Sequence, residues 1–419
     1  MIKINILGTN KGSVLIMALM LTLVIISLTM VGSILIIASR QDTGLHQNVL
    51  TQADNVARAG LVDAMSWFKR QTIQPTKSGV PPTAYDYPDA AFNPKYDINP
   101  FVSDTMDESI GLVKEYQLSE DNLTWVRYEL YRQKDPASNP YDEHAVHDIT
   151  EQRIDGRENG EGWVWYLESA GYVYRRRDPA KAFNESPNEI LARVRAASEI
   201  RLVTLNLPAH SAVVAYDCGK KNQEKIIVRD EGRIIAGDNN PAISWYTGNA
   251  TPKIYNNAFV SDPKFGNATE PTIYNVFSVS KSELEHLADI VVENVVYLPD
   301  NLPDMTFIYV KGDAVFTPSN PLIGSGLLFV DGNLTITQNS NSVFSGFVYV
   351  AGETIIEEPT LINGMVVTNV RFEISNSSST NISEVRYNAA ILENVRTIIC
   401  NYRENKSTLH VFIGIPGLE

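Results

Sequence analysis

The segment DEHAVHD, which ends at Asp148, carries the residue types that bind a transition metal. His144, His147 and Asp148 offer two imidazoles and a carboxylate, which are ligands that Zn²⁺ takes. They lie in a polar insertion, 135–160, and the sequence shows no partner that would orient the imidazoles. We therefore interpret the segment as an exposed loop, and we predict no metal and no cofactor for the chain.

Three acidic residues could form a second kind of chemical site. Asp313, Asp331 and Glu353 fall in near-equivalent positions of a 20-residue repeat. Two carboxylates on adjacent turns of a β-helix could act as the acid and the base of glycoside cleavage. Corner positions of a β-helix are usually polar and solvated in any case, and the chain has no Gly-x-Ser-x-Gly, phosphate-loop or His-Glu-x-x-His motif. We predict no catalytic residue and a protein that is not an enzyme.

The chain has two cysteines, Cys218 and Cys400. If the body of the protein is exported to an oxidising compartment, they could form one disulfide bridge. The alternative is two unpaired, half-buried thiols, because the sequence does not tell whether their Cα atoms come within bonding distance.

A repeat of 20 residues marks the C-terminal half of the chain. Glycines recur at Gly312, Gly332 and Gly352 and at a second corner, Gly326 and Gly346, with Gly364 arriving slightly early. Four apolar columns keep the same register, among them Phe307–Leu327–Phe347 and Tyr309–Phe329–Tyr349. This pattern predicts stacked β-helix rungs, with 225–236 as an additional rung. A plain antiparallel sandwich is the alternative.

Upstream of the repeat, short runs alternate apolar and polar residues of β-branched and aromatic types. The runs are 112–116, 124–131, 162–167, 171–174 and 189–195. They predict an antiparallel sheet. A short amphipathic helix is predicted at Ser280–Ala288, with Ser280 and Glu283 as a capping box. A strand and a closing helix over 383–395 would cover the end of the repeat array.

The N-terminal block is the most apolar part of the chain. From Val14 to Ala38 there are 25 residues without a charge, and a helix of that length would reach about 38 Å, enough to cross a bilayer. Lys3 and Lys11 precede this run, so the positive-inside rule leaves the short end in the cytoplasm and exports the rest. The apolar core of a cleaved secretory signal is much shorter, whereas an ordinary signal anchor fits.

Beyond Arg40, apolar or small residues continue at spacings of three and four, which indicates an amphipathic helix. They are Leu45, Val49, Ala53, Val56, Gly60, Ala64 and Phe68. The pattern stops at Gln74 and Pro75, since proline ends a helix. One helix could therefore run from about Ser13 to Lys69.

This N-terminus resembles that of prepilins. The segment NKGSVLIMALMLTLVIISLTMVGS, followed by QADNVARAGLVDAMSWF, is similar to minor pilins of the PilX type and to the large pseudopilins of type II secretion. In those families a membrane peptidase cuts after the glycine and usually methylates the new N-terminus. The resemblance implies prepilin peptidase cleavage between Gly12 and Ser13, and a long helix followed by a sheet.

One residue departs from the pattern of that family. Most pilins have glutamate at the fifth mature position, where it pairs with the terminal amine of a neighbouring subunit, whereas this chain has Met17 there. A carboxylate buried at that position would be costly without its partner. The departure favours a minor, initiating or tip-located subunit over a bulk subunit.

Together these features predict a membrane-anchored α+β protein. It would have a long N-terminal pilin-like helix, an antiparallel sheet and a mainly β C-terminal region with β-helix-like rungs. The expected domains are a leader peptide (1–12), the transmembrane and amphipathic helix (13–70), a pilin-like β-rich body (71–205), and a β-helix-like domain with a capping tail (206–419).

The expected function is that of a structural minor pilin or pseudopilin-like subunit of a type IV pilus or related filament, with a role in adhesion. Its partners would be other pilin-like subunits, the prepilin peptidase, the inner membrane through 14–38, and a surface or polysaccharide. The net charge of −14 argues against nucleic acid.

Before assembly the chain would lie in the bacterial inner membrane with a cytoplasmic N-terminus, and afterwards in the periplasm or at the cell surface. The alternative is a signal-anchored β-helix protein that binds or cleaves envelope polysaccharide.

Overall fold

The computed structural model describes residues 47–70, 106–107, 110–118, 123–132, 143–220, 225–255, 257–376 and 381–414. Of these residues, 44% lie in strands and 18% in helices. Their buried apolar side chains divide into two clusters. One cluster lies between a helix and an antiparallel sheet, and the other fills a β-helix.

Helix α1 covers 47–70. The strands of the first unit are β1 Met106–Asp107, β2 Gly111–Gln117, β3 Thr124–Tyr131, β4 His147–Asp148, β5 Val164–Arg175 and β6 Glu189–Leu202, with helix α2 at Thr150–Arg153. The next elements are β7 Val213–Asp217, β8 Ile226–Val228, β9 Arg233–Ile235, β10 Ile243–Thr247, β11 Lys253–Ile254, β12 Phe259–Val260, β13 Phe265–Asn267, α3 Ile273–Phe277 and α4 Lys281–Leu287.

The second half contains β14 Ile290–Val292, a 3₁₀ helix Val295–Tyr297, β15 Thr306–Val310, β16 Ala314–Phe316, β17 Ile323–Val330, β18 Leu334–Ile336, β19 Ser342–Val350, β20 Glu353–Ile356, β21 Thr360–Thr368 and β22 Arg371–Ile374. The chain closes with β23 Ser383–Tyr387, α5 Ala389–Asn394, a π-helical turn Val395–Ile399 and β24 Tyr402–Gly414.

The first unit is an antiparallel sheet with α1 against one face. Its strand order is β1-β2-β3-β5-β6-β24, with β4 beside β5. The antiparallel sheet was predicted, but the two predicted strands 162–167 and 171–174 are replaced by the single strand β5, which begins at Val164. In α1, the predicted apolar stripe faces the sheet, since Ala53, Val56 and Phe68 are buried.

The second unit is a parallel β-helix, and its register follows the 20-residue repeat. Leu327 pairs with Phe307 on one side and with Phe347 on the other. Inside the helix, the rings of Tyr309, Phe329 and Tyr349 form a stacked column, with centroids 4.8 Å and 5.2 Å apart. The predicted repeat is therefore confirmed in the strand pairing, because identical positions of successive turns pair with each other.

The rungs do not stack in the order of the sequence. β7, β8 and β9, which open the β-helix, pair with β21, β22 and β23 near its end. The strands β10, β11 and β12 continue outward from them. After α3 and α4 the chain resumes at β14, at the opposite end of the stack, and builds back towards its own first rung.

The predicted membrane-anchored α+β fold is wrong for the part of the chain that the structure describes. This part is mainly β, none of its helices is long and apolar enough to cross a membrane, and its first helix, α1, covers only 47–70 of the predicted 13–70. Residues 13–46 lie outside it. The physical reason for the high strand content is the alternating pattern of β-branched and aromatic residues, which fills two sheet-based cores.

The predicted extent of the C-terminal domain, 206–419, also needs correction. β24 pairs with β6 and completes the antiparallel sheet. The β-helix is therefore inserted between two neighbouring strands of the first unit.

A column of glycines lets successive turns of the β-helix approach each other. Gly326, Gly346 and Gly364 are paired in register. A Cβ atom added to Gly346 would lie 1.8 Å from the carbonyl oxygen of Gly326, and one added to Gly364 would lie 1.9 Å from that of Gly346. No side chain fits at these positions without moving the backbone.

Replacing Gly346 by alanine is expected to lower the free energy of unfolding by about 3 kcal/mol, because the two turns must separate to admit the methyl group. The neighbouring Ser345→Ala, which removes only a half-buried hydroxyl, should cost less than about 1 kcal/mol. Guanidinium unfolding followed by circular dichroism measures both. Equal unfolding midpoints for the two variants would contradict the close approach.

Candidate functional site

Helix α1 lies in direct backbone contact with the antiparallel sheet. A Cβ atom added to Gly171 of β5 would lie 2.4 Å from the Ala53 carbonyl oxygen and 2.5 Å from the Ala57 nitrogen. On the next turn, an added Cβ on Gly60 would lie 2.2 Å from Ser169 Oγ. Small residues on both surfaces thus allow the helix to approach the strands closely.

Aromatic side chains fix the C-terminal end of α1. The ring of Phe68 lies 5.1 Å from both Trp165 of β5 and Tyr402 of β24, measured between centroids. Tyr402 also donates a hydrogen bond of 2.5 Å to the carbonyl oxygen of Gly162. One ring of β24 therefore connects α1 to the sheet at the point where the chain returns from the β-helix.

The entry and exit of the β-helix meet beside this aromatic group. Leu202 of β6 pairs with Tyr402 of β24. Just beyond them, the backbone N–H of Val203 donates to the carbonyl oxygen of Asn401 at 3.1 Å. We refer to these four residues, Leu202, Val203, Asn401 and Tyr402, as the neck.

Helix α4 attaches the β-helix to the sheet near the neck. Its predicted capping box is confirmed, with Ser280 and Glu283 each bonded to the backbone of the other. At the other end, the carbonyl oxygen of Leu287 accepts a hydrogen bond from Arg403 Nε at 2.7 Å, and that of Ala288 accepts one from Lys406 Nζ at 2.7 Å. Cations of β24 thus lie at the negative end of the helix dipole, where they stabilise it.

The predicted processing site lies outside the described residues. Gly12, Ser13 and Met17 are all in the segment that precedes α1, and so is the uncharged run 14–38. The cleavage between Gly12 and Ser13 stays a prediction from the sequence.

Both cysteines are free, buried thiols in the structure, rather than a disulfide. Cys218 Sγ donates to the carbonyl oxygen of Ala250 at 3.1 Å. Burial raises the pKa of the Cys218 thiol, and it raises the pKa of the Cys400 thiol to about 12. Both groups are therefore protonated at neutral pH.

The predicted exposed loop around His144 is partly ordered against the sheet, because β4 pairs with β5. Both carboxylate oxygens of Asp148 accept hydrogen bonds within the chain, from Thr150, Gly160 and Gly162. His144 contacts Glu168, with 3.2 Å between Nδ1 and a carboxylate oxygen. Among the described residues, no three side chains of the types that hold a metal ion are grouped together.

The three acids of the repeat do not provide two neighbouring carboxylates on adjacent turns. The backbone N–H of Asn333 donates to Asp313 Oδ1 at 2.8 Å, and Asn333 Oδ1 accepts from the N–H of Glu353 at 2.8 Å. An asparagine therefore stands between the two carboxylates. Asp331 lies at a different corner position, where it pairs with Lys281 at 2.5 Å.

A cavity of about 550 Å³ lies on the face of the antiparallel sheet that is turned away from α1. We refer to it as the sheet cavity, and its lining includes Glu115, Arg127, Glu129, Tyr172, Phe183 and Arg193. None of these residues was predicted from the sequence to belong to a site. The available signal was the alternation of charged and aromatic residues on the outward positions of 124–131 and 189–195.

No protein-family model matches the chain, and no curated protein matches it. Among solved structures, the chain is similar to the competence-associated pilin ComZ from Thermus thermophilus. The sequence identity is 11%, the match covers 88% of this chain and 98% of that chain, and the TM-score is 0.21. A likeness of this size does not establish a shared fold.

Replacing Gly171 by alanine is expected to lower the free energy of unfolding of the first unit by about 3 kcal/mol, because the methyl group would meet the backbone of α1. Tryptophan fluorescence during urea unfolding reports this change, since four of the five tryptophans lie in this unit. The control is Gly156→Ala, where an added Cβ meets no atom within 4 Å and only the left-handed backbone costs about 1 kcal/mol. Two equal losses would exclude a tight α1–sheet contact.

Iodoacetamide at pH 8 should leave Cys218 and Cys400 unmodified in the folded protein, because the thiolate is the reactive form and burial suppresses it. After unfolding without reductant, intact mass should show both thiols alkylated, and Cys218→Ser should show one. An unfolded protein that takes up no label until it is reduced would reveal a disulfide instead.

Proposed function

We propose that the chain is a structural, non-enzymatic subunit of a type IV pilus or a related secretion filament, processed between Gly12 and Ser13. The observation that carries the proposal is the order of three features. A short basic leader ends in Gly12, an uncharged run follows at 14–38, and the amphipathic helix α1 comes next, with one face seated on an antiparallel sheet.

The flank of α1 supports a role in lateral packing. Val62 is 54% exposed on a helix whose other apolar side chains are largely covered. Beside it, Met65 and Leu409 line a mainly apolar cavity of about 230 Å³ between α1 and the sheet. An apolar side chain next to an apolar recess is suited to contact with a neighbouring subunit.

The chain is better suited to a scarce subunit, at the start or the tip of a filament, than to the bulk of the shaft. Met17 lacks the carboxylate that would pair with a neighbouring amine, and an inserted β-helix makes the body large. The proposal places the chain at the inner membrane before assembly, with its β-rich body outside the cytoplasm, where the β-helix could contact a surface. Its partners would be other pilin-like subunits and the prepilin peptidase.

The mature N-terminus tests this proposal. Mass spectrometry of the protein from its native host should find N-methyl-Ser13 as the first residue. Gly12→Val should leave the unprocessed precursor, because a bulky side chain at the cleaved bond blocks the peptidase. Gly8→Val, the same change four residues earlier in the leader, should be processed as usual.

An intact Met1 in the wild-type protein, or a cut near Ala38, would rule out prepilin processing. Normal filament assembly by Gly12→Val would rule it out as well.

A further inference from the structure

The floor of the sheet cavity is a row of polar and aromatic residues that runs across four strands. Glu115 of β2 pairs with Arg127 of β3, Arg127 pairs with Tyr172 of β5, and Tyr172 pairs with Arg193 of β6. Since directly opposed residues of an antiparallel sheet share a face, these four side chains form one continuous surface. The guanidinium of Arg193 lies over the Tyr172 ring, 5.6 Å from its centroid.

The β5–β6 loop closes one side of the cavity, and a single buried asparagine shapes this loop. Asn188 Oδ1 accepts hydrogen bonds from the N–H groups of Arg177 and Asp178, and its Nδ2 donates to the Ala182 carbonyl at 2.8 Å. The loop thereby places Phe183 over the floor, with its ring 4.9 Å from that of Tyr172. Because these hydrogen bonds within the chain already order the loop, ligand binding costs less conformational entropy.

The two carboxylates of the cavity are already neutralised within the chain. Glu115 accepts hydrogen bonds from Arg127 at 3.0 Å and from Arg176 at 2.9 Å. Glu129, which is only 2% exposed, accepts from Arg127 at 2.6 Å and from the Tyr131 hydroxyl at 2.6 Å.

Two further cations, Lys181 and Arg193, also line the cavity. Four cations against two carboxylates leave the described lining with two net positive charges, in a chain whose total is −14. The cavity is therefore a local positive site on an acidic protein, and it favours an anionic ligand.

We propose that the sheet cavity binds a saccharide unit that bears a carboxylate. The half-buried Phe183 offers apolar ring surface for the C–H groups of a sugar, and Arg193 offers planar N–H donors that match a carboxylate. Glu115, whose side chain is 24% exposed, retains lone pairs that can accept hydrogen bonds from sugar hydroxyls. A dianionic phosphate fits less well, because it has no O–H donor for the Glu115 carboxylate, whereas a sugar has several.

This proposal goes beyond the filament role and does not depend on it. Binding to the cavity requires only the folded antiparallel sheet and its β5–β6 loop, whereas the filament role requires processing at Gly12. Failure of one is therefore distinguishable from failure of the other.

Isothermal titration calorimetry on the full-length protein tests the proposal, with trigalacturonate as the acidic probe and its methyl ester as the neutral one. We expect trigalacturonate to bind at least about tenfold more tightly than the ester, because the free energy of one hydrogen bond to a charged group corresponds to a change in affinity of that size. Arg193→Gln should weaken binding of the acid about tenfold. The matched control Arg177→Gln removes the same charge from a residue outside the cavity lining and should change affinity less than about twofold.

Lys181→Gln provides a second test in case Arg193→Gln does not fold. Lys181 is exposed, so its replacement leaves the core intact. It should weaken trigalacturonate binding about threefold. The proposal is overturned if trigalacturonate gives no binding at about 10 mM. It is also overturned if the ester binds equally well, if Arg177→Gln weakens binding as much as Arg193→Gln, or if a tri-glutamate peptide binds as tightly as the saccharide.

Discussion

The neck is the constraint on which the rest of the structure depends. Leu202 and Tyr402 face each other on neighbouring strands, and the hydrogen bond from Val203 to Asn401 follows directly. All residues between these positions belong to an insertion that must leave and return at the same point. Tyr402 also packs against Phe68 of α1. The same side chain therefore lies where the insertion ends and holds α1 against the sheet.

The unusual order of the rungs follows from this constraint. A β-helix that stacked in sequence order would end one full stack length away from where it began. Here the chain forms β7 to β9 and continues outward through β10 to β13. It then crosses through α3 and α4 and builds back from β14 until β21 pairs with β7. The first and last rungs therefore lie next to each other, and α4 can contact β24 through Arg403 and Lys406.

The candidate sites differ in how far the sequence could predict them. The capping box of Ser280 and Glu283 is local, because both partners lie within one helical turn, and it was predicted from spacing alone. The sheet cavity was not predicted, since Glu115, Arg127 and Arg193 come from three strands whose pairing fixes their distance. The free state of Cys218 and Cys400 was left open for the same reason, because no local pattern reports the separation of two distant thiols.

The sequence by itself determined the local periodicities. The 20-residue repeat, the glycine column and the apolar stripe of α1 each reflect contacts between residues a fixed number of positions apart, so they can be read along the chain. Only the tertiary structure decided that 402–414 returns to the first sheet, that β7 stacks on β21, and that the described chain is mainly β. These features depend on contacts between residues far apart in sequence, and the alternating pattern of a strand does not specify which other strand it pairs with.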